Sequence, residues 1–164
     1  MHNPLDYMEI RRGLPNNGFG MVRNGGKRPH QGWDLWAPVG TPIFAVAEGI
    51  VEFVHLNSGD YGTQICMSFE NPQTPGTLLY AFYAHLSQVF VKAKDWVTEG
   101  QLLGLTGKTG NAKGFKSIED EHLHFEIRDI SAPGTGLKHR MDPAKFFGYD
   151  LYSCSPDLPV CEPE

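Results

Sequence analysis

Seven histidines are spread over the 164-residue sequence, and four sit where they could do chemistry. His122-Leu123-His124 lies in a run of alternating character. Side chains alternate along a strand, so both imidazoles share one face while Leu123 and Phe125 take the other. Two charged imidazoles held that close would repel, and a metal ion or a shared substrate removes the conflict. His30 and Asp34 form a second piece, H-x-x-x-D, after a loop rich in Gly, Asn, Lys and Arg. Their nitrogen and oxygen donors suit Zn2+, and Gly32 between them relieves crowding where backbone bends around an ion. Tyr83-Ala84-His85-Leu86 is the third piece, a histidine ending an apolar strand. Each piece alone is weak. Chance H-x-H pairs are common, H-x-x-x-D fits an exposed loop, and His85 fits a core histidine bonded to backbone. His2, His55 and His139 read as ordinary surface or satisfied residues.

Strands must position these groups. Residues 41–54 carry two β-rich runs flanking Glu48-Gly49, which reads as a tight turn. Residues 63–69 and 78–86 read as a hairpin joined by a Pro/Gly-bearing loop at 71–76. Short runs at 90–97 and 101–105 follow, then a Gly-, Lys- and acid-rich stretch at 106–121, then the run 122–127. Residues 17–130 lack helical periodicity. One short helix is expected near 142–147, with Asp142 as cap and Pro143 at the first helical position. The reading is an all-β, single compact domain of antiparallel sheets forming a groove, with at most one or two short helices. Residues 1–16 form an N-terminal extension, 17–148 the domain and 149–164 a tail.

Composition narrows the function. Lys and Arg total 14 against 19 Asp and Glu, a net charge of −5 without any basic block. Nucleic acid and anionic membrane are poor partners for such a chain. The longest apolar run, at 78–84, is seven residues, too short for a membrane span. Residues 1–14 contain no apolar stretch of secretory-signal length, so the chain stays inside, leaves by another route or is cut from a longer protein. Cys66 reads as a buried thiol. Cys154 and Cys161 flank a proline-containing loop; a disulfide stapling the tail and two free thiols are both open readings.

Taken together, the three pieces and their surroundings resemble the LytM/lysostaphin-type zinc metallopeptidases of peptidase family M23, which cut peptidoglycan peptides. The resemblance rests on Phe19-Gly20-Met21, on His30-x-Gly32-x-Asp34-Leu35-x-Ala37-Pro38-x-Gly40-Thr41-Pro42 and on Ala45-x-Ala47-x-Gly49-x-Val51. It continues through Tyr61-Gly62, Tyr83-x-His85-Leu86, Val97-x-x-Gly100-Gln101, Gly104-x-x-Gly107-x-Thr109-Gly110-Asn111 and His122-Leu123-His124-Phe125-Glu126. It implies that His30, Asp34 and His124 bind one zinc ion and that His85 and His122 are a catalytic pair that does not. All five are present, unlike in relatives that keep the fold, lose the ligands and activate other hydrolases.

The implied enzyme is a zinc metalloendopeptidase hydrolysing peptidoglycan stems or cross-bridges in the bacterial periplasm or cell envelope. A toxin delivered into a competitor or a phage lysin would fit, and a toxin would be matched by a cognate immunity protein. The chain is expected to be a monomer. The alternative is a non-catalytic LytM-type module that binds wall or partner proteins. Three protein ligands leave a zinc position for water, and a neutral imidazole must take that water's proton. An activity optimum above about pH 6.5 follows for unperturbed histidine. Glu126, on the face of the two histidines, could orient a ligand imidazole or simply be solvated. Tyr83 is expected on the same strand face as His85 and packed in the core. Trp33 is open between groove wall and core anchor, and Trp36 is expected in the core.

Two departures from the family pattern stand out. Residues 112–121 are longer than the usual link before His122 and end in three acids. They read as a tolerated surface insertion, or as a specificity loop whose carboxylates meet a cationic substrate group. Lys94 stands where relatives often place glycine, which puts one turn in question.

Overall fold

The computed structural model describes residues 1–148 and Leu151; Cys154 and Cys161, whose pairing the sequence leaves open, lie outside the described residues. Among the described residues eleven strands make two sheets, and every pairing is antiparallel. β1 (Gly20–Arg23) and β2 (Arg28–His30) form a hairpin of their own. The large sheet holds β3 (Trp33–Trp36), β4 (Pro42–Phe44), β5 (Gly49–Ser58), β6 (Gly62–Glu70), β7 (Leu78–Val89), β8 (Trp96–Val97), β9 (Leu102–Thr106), β10 (His122–Arg128) and β11 (Arg140–Met141). Its spine runs β11-β10-β7-β6-β5-β8, with β3 on β10 and β9 bridging β7 to β4. The other elements among the described residues are four 3-10 turns and one helix, α1 (Ala144–Phe147). Asp142 Oδ1 accepts the Ala144 N–H and Gly148 closes α1 in the left-handed region, so the short expected helix forms.

The antiparallel β6–β7 hairpin forms as expected from the two strand runs and the Pro/Gly-bearing loop between them. The runs flanking Glu48-Gly49 do not pair with each other. β4 pairs with β9, while β5 pairs with β6 and β8. Gly49 sits where an added Cβ would collide with the Ser68 carbonyl on β6, so glycine serves strand approach rather than a hairpin turn. Lys94 holds the glycine-like turn itself, at φ 75°, with its N–H donated to Val51 O at 2.7 Å.

One face of the large sheet makes the core, including Leu35, Ile65, Met67, Tyr83, Leu123 and Phe125. Leu5 and Ile10 of the N-terminal segment are buried in it, and Ile10 bridges to Leu35. Trp33 is fully buried there against Phe147, which settles it as a core anchor. Trp36 is only half-buried. Its Nε1–H donates to Ile118 O at 3.1 Å, so it belongs to the surface that carries residues 112–121, not to the core. Cys66 is buried, and burial pushes its thiol up to about 12. No helix among the described residues is long and apolar enough to cross a membrane.

Candidate metal centre and groove

Strand β10 is the axis of the site. On one edge His124 pairs with Asp34 of β3, and on the other with Ala84 of β7. Leu123, Phe125 and Ile127 enter the core, so alternation sends His122, His124, Glu126 and Arg128 to the opposite face. β3 approaches β10 closely because Gly32, just before it, has no Cβ. A methyl there would collide with the Phe125 carbonyl oxygen.

His85 reaches the same face by a different device. Tyr83 is in the core, its hydroxyl donating to Phe44 O at 3.0 Å, and strict alternation would carry His85 there too. His85 instead adopts φ 63°, in the left-handed region. Its N–H donates to Tyr61 O at 2.9 Å, and the ladder is irregular on both sides. The strand therefore swings its imidazole out of the core face. Tyr83 and His85 do not share a face, contrary to the simple period-two expectation.

Among the described residues, one group of His, Cys, Asp or Glu side chains brings its donor atoms within 4.8 Å of one another: His30, Asp34 and His124. His30 Nε2 lies 3.1 Å from Asp34 Oδ1 and 3.3 Å from His124 Nδ1, and the latter pair are 2.8 Å apart. All three side chains are buried. His30 Nδ1–H donates to Gly18 O at 2.7 Å, which leaves the Nε2 lone pair facing the cluster. His124 Nε2–H donates to Glu126 Oε1 at 2.9 Å, which leaves Nδ1 as the ring nitrogen facing the cluster, where an ion would displace its proton. Burial pulls His124 down, but the hydrogen bonds and charges of Asp34 and Glu126 outweigh it and raise the group to about 9. A place that favours positive charge, fronted by two imidazole nitrogens and a carboxylate oxygen, fits a divalent ion such as Zn2+.

Glu126 is fully buried, not solvated. Tyr61 donates to its Oε1 at 2.9 Å, and the Arg128 and Arg140 Nε–H groups donate to Oε2 at 2.6 and 2.8 Å. Tyr61, Arg128 and Arg140 were not singled out from sequence as supports of the site. Glu126 and Arg128, at i+2 and i+4 from His124 on one strand face, carry a local signal; Tyr61 and Arg140 do not.

His85 and His122 stand beside the cluster with ring centroids 5.0 Å apart. His85 Nδ1–H donates to Thr109 O at 2.9 Å and His122 Nδ1–H to Asp120 O at 2.8 Å, so each keeps Nε2 as an acceptor. Burial dominates both, bringing His85 down to about 3 and His122 below its ordinary value. Both are neutral imidazoles near neutral pH. All five expected site residues thus meet in one open cleft of about 460 Å³.

The acids of 112–121 are committed within the chain. Arg12 donates to Asp120 at 2.6 and 3.0 Å and to Glu119 at 2.9 Å. Glu121 accepts the Val39 N–H at 2.8 Å and lies 3.5 Å from Lys108 Nζ. That argues against three free carboxylates awaiting a cationic substrate. The loop does border the cleft through Phe115, edge-on to His122 with the Arg11 guanidinium 5.0 Å from its ring centre.

Comparison with known proteins agrees with this architecture. The family model described as Peptidase family M23 matches residues 28–143. The chain belongs to peptidase family M23. It is 32% identical over 112 residues to the peptidoglycan DD-endopeptidase ShyA of Vibrio cholerae, covering 67% of this chain and 23% of ShyA. It is 36% identical over 106 residues to the DD-carboxypeptidase/endopeptidase Mpg of Neisseria meningitidis, covering 65% of this chain and 21% of Mpg. The chain thus spans about a quarter of the length of these curated relatives. Among solved structures, the lysostaphin catalytic domain of Staphylococcus simulans matches at TM-score 0.59 and 29% identity, covering 86% of this chain and 99% of that one. The catalytic domain of prophage-encoded EnpA from Enterococcus faecalis matches at TM-score 0.60 and 27% identity, covering 80% and 88%.

Proposed function

We propose that this chain is a zinc-dependent endopeptidase that hydrolyses peptide bonds in peptidoglycan and acts in the bacterial cell envelope. The observation that carries the reading is the convergence of His30, Asp34 and His124 beside two neutral imidazoles in an open cleft. The names of the relatives, peptidoglycan DD-endopeptidase and DD-carboxypeptidase/endopeptidase, support the substrate class. A role as delivered toxin or phage lysin is compatible with it.

His30, Asp34 and His124 would hold the ion. When bound, zinc supplies Lewis acidity that activates a water and polarises the scissile carbonyl. The remaining work falls to the chain. Glu126 and the Gly18 carbonyl keep the two ligand imidazoles turned inward. His85 and His122 offer Nε2 toward the cleft, so one of them accepts the proton of the attacking water and, as the imidazolium so formed, steadies the developing oxyanion. The proton then passes to the leaving amine. Backbone carbonyls fix both tautomers before substrate arrives.

Zinc-loaded protein should release peptides from purified sacculi, with new termini identified by mass spectrometry. H122A and H85A should each retain about one zinc per chain and lose about 100- to 10,000-fold in rate. Full zinc occupancy with no release from either Gram-negative or Gram-positive sacculi would favour the binding-module alternative. Loss of zinc in H85A would instead make His85 a fourth ligand.

A further inference from the structure

The cleft is cationic in an acidic chain. Arg11, Arg23 and Arg28 line it, and Asp34 is the sole acidic residue among the described lining residues. Two of these arginines face each other. In the β1–β2 hairpin Arg23 and Arg28 are direct cross-strand partners, an arrangement of like charges that costs stability. Arg23 is partly compensated, since its Nη2–H donates to Asp34 Oδ2 at 2.8 Å and its Nε–H to Asn16 O at 3.0 Å. Arg11 lies behind it, 3.5 Å from the same carboxylate oxygen, with its buried Nε left without a partner. Arg28 is exposed and two residues before His30 on the same strand, so period-two geometry places it on the face of that imidazole. Among the described residues no side-chain hydrogen bond or ion pair occupies it. An unneutralised guanidinium fork, set opposite a second arginine beside a peptidase centre, is built to receive a planar anion.

We infer that Arg28, with Arg23 and Arg11 behind it, forms a subsite for a free carboxylate on the substrate, borne on the carbon that carries the scissile nitrogen. The inference rests on the peptidase reading above and sharpens its substrate class. A D-alanyl-diaminopimelate cross-link and a D-alanyl-D-alanine terminus both carry a carboxylate at that carbon. An internal glycyl-glycine bond does not. The subsite therefore selects the first two over a glycine bridge.

The test uses matched peptides: a D-alanyl-diaminopimelate cross-linked dimer and a stem ending in D-alanyl-D-alanine, each as free acid and as amide at that carboxylate, plus pentaglycine. Turnover is measured on the zinc-loaded native chain. Binding is measured by calorimetry on zinc-loaded H122A, where the peptides survive. The free acid should be preferred over its amide by about 10- to 100-fold, the range of a charge-assisted bidentate contact. R28Q should collapse that ratio to near one, and R28K, which keeps the charge without the fork, should retain only part of it. The cross-linked and terminal arms tell which carboxylate source is preferred. An acid-to-amide ratio near one in the native chain, an unchanged ratio in R28Q, or better cleavage of pentaglycine would each overturn the subsite. Free-acid preference in binding without any turnover would leave the subsite standing and overturn the peptidase reading; turnover without preference would do the reverse.

Discussion

Glu126 holds four groups at once: the Tyr61 hydroxyl, His124 Nε2 and the guanidiniums of Arg128 and Arg140. E126Q keeps its shape but leaves two buried arginines short of their counter-charge, a loss expected to cost about 3–5 kcal/mol. It also weakens the restraint on the His124 ring, so zinc affinity should fall about 10- to 100-fold. Urea titration and zinc competition read the two effects separately. Burial opposes the ionisation of both Glu126 and Asp34. The hydrogen bonds and charges of the surrounding histidines, with Arg128 in the case of Glu126, nevertheless hold both carboxyls below their ordinary range. Carboxyls depressed in the fold contribute stability above the unfolded value of about pH 4, and that stability is lost as pH falls below it. The urea midpoint should therefore be steady at neutral pH and drop below about pH 4. His85, neutral down to about pH 3, shifts the acid limb of kcat/KM well under the pH 6.5 expected from an unperturbed imidazole. An acid limb that stays at 6.5 would point to another group.

At the scale of elements, the site depends on how closely β3 and β10 approach. A Cβ at residue 32 meets backbone rather than a side chain that could swing away. G32A should cost at least about 1–3 kcal/mol and displace Asp34 from His124, seen as a lower melting temperature and weaker zinc binding. The ion would join β2, β3 and β10, so chelation should lower the melting temperature of the native chain and leave that of D34A nearly unmoved. Much of this level is legible in the sequence. Alternation marked β6 and β10, a continuous apolar run marked β7, and the i, i+2 spacing put His122, His124 and Glu126 on one face. What local patterns could not show are choices made by distant partners. β4 chose β9 over its neighbour β5 because pairing is decided by packing across the sheet. His85 left its expected face because one left-handed residue shifts the period, and histidine carries no sequence mark of that conformation. The Arg140 support was invisible for the same reason: it meets Glu126 only once β11 docks on β10.

Across the whole molecule, charge is unevenly placed. The net charge is −5, yet the cleft is lined by three arginines and one aspartate. Anionic peptides should be drawn to the cleft and repelled elsewhere, so kcat/KM should fall as salt rises from about 0.05 to 0.5 M, through KM more than kcat. A neutral peptide should show little such dependence. The N-terminal segment takes part in this layout, because Arg11 lines the cleft and Arg12 clasps Glu119 and Asp120. Arg12 and Glu119 are exposed and Asp120 is half-buried, so R12A should leave the urea midpoint nearly unchanged.

Among the described residues the β1–β2 hairpin shares no ladder with the nine-stranded sheet, and its turn at residues 24–27 is solvent-exposed. Exchange of residues 20–29 as a cassette that keeps the Arg23–Asp34 contact should therefore leave the donor at position 30 in place, seen as unchanged zinc stoichiometry. Transplanting cassettes from other members of the family would give a protein engineer a direct route to hydrolases with redirected bond preference.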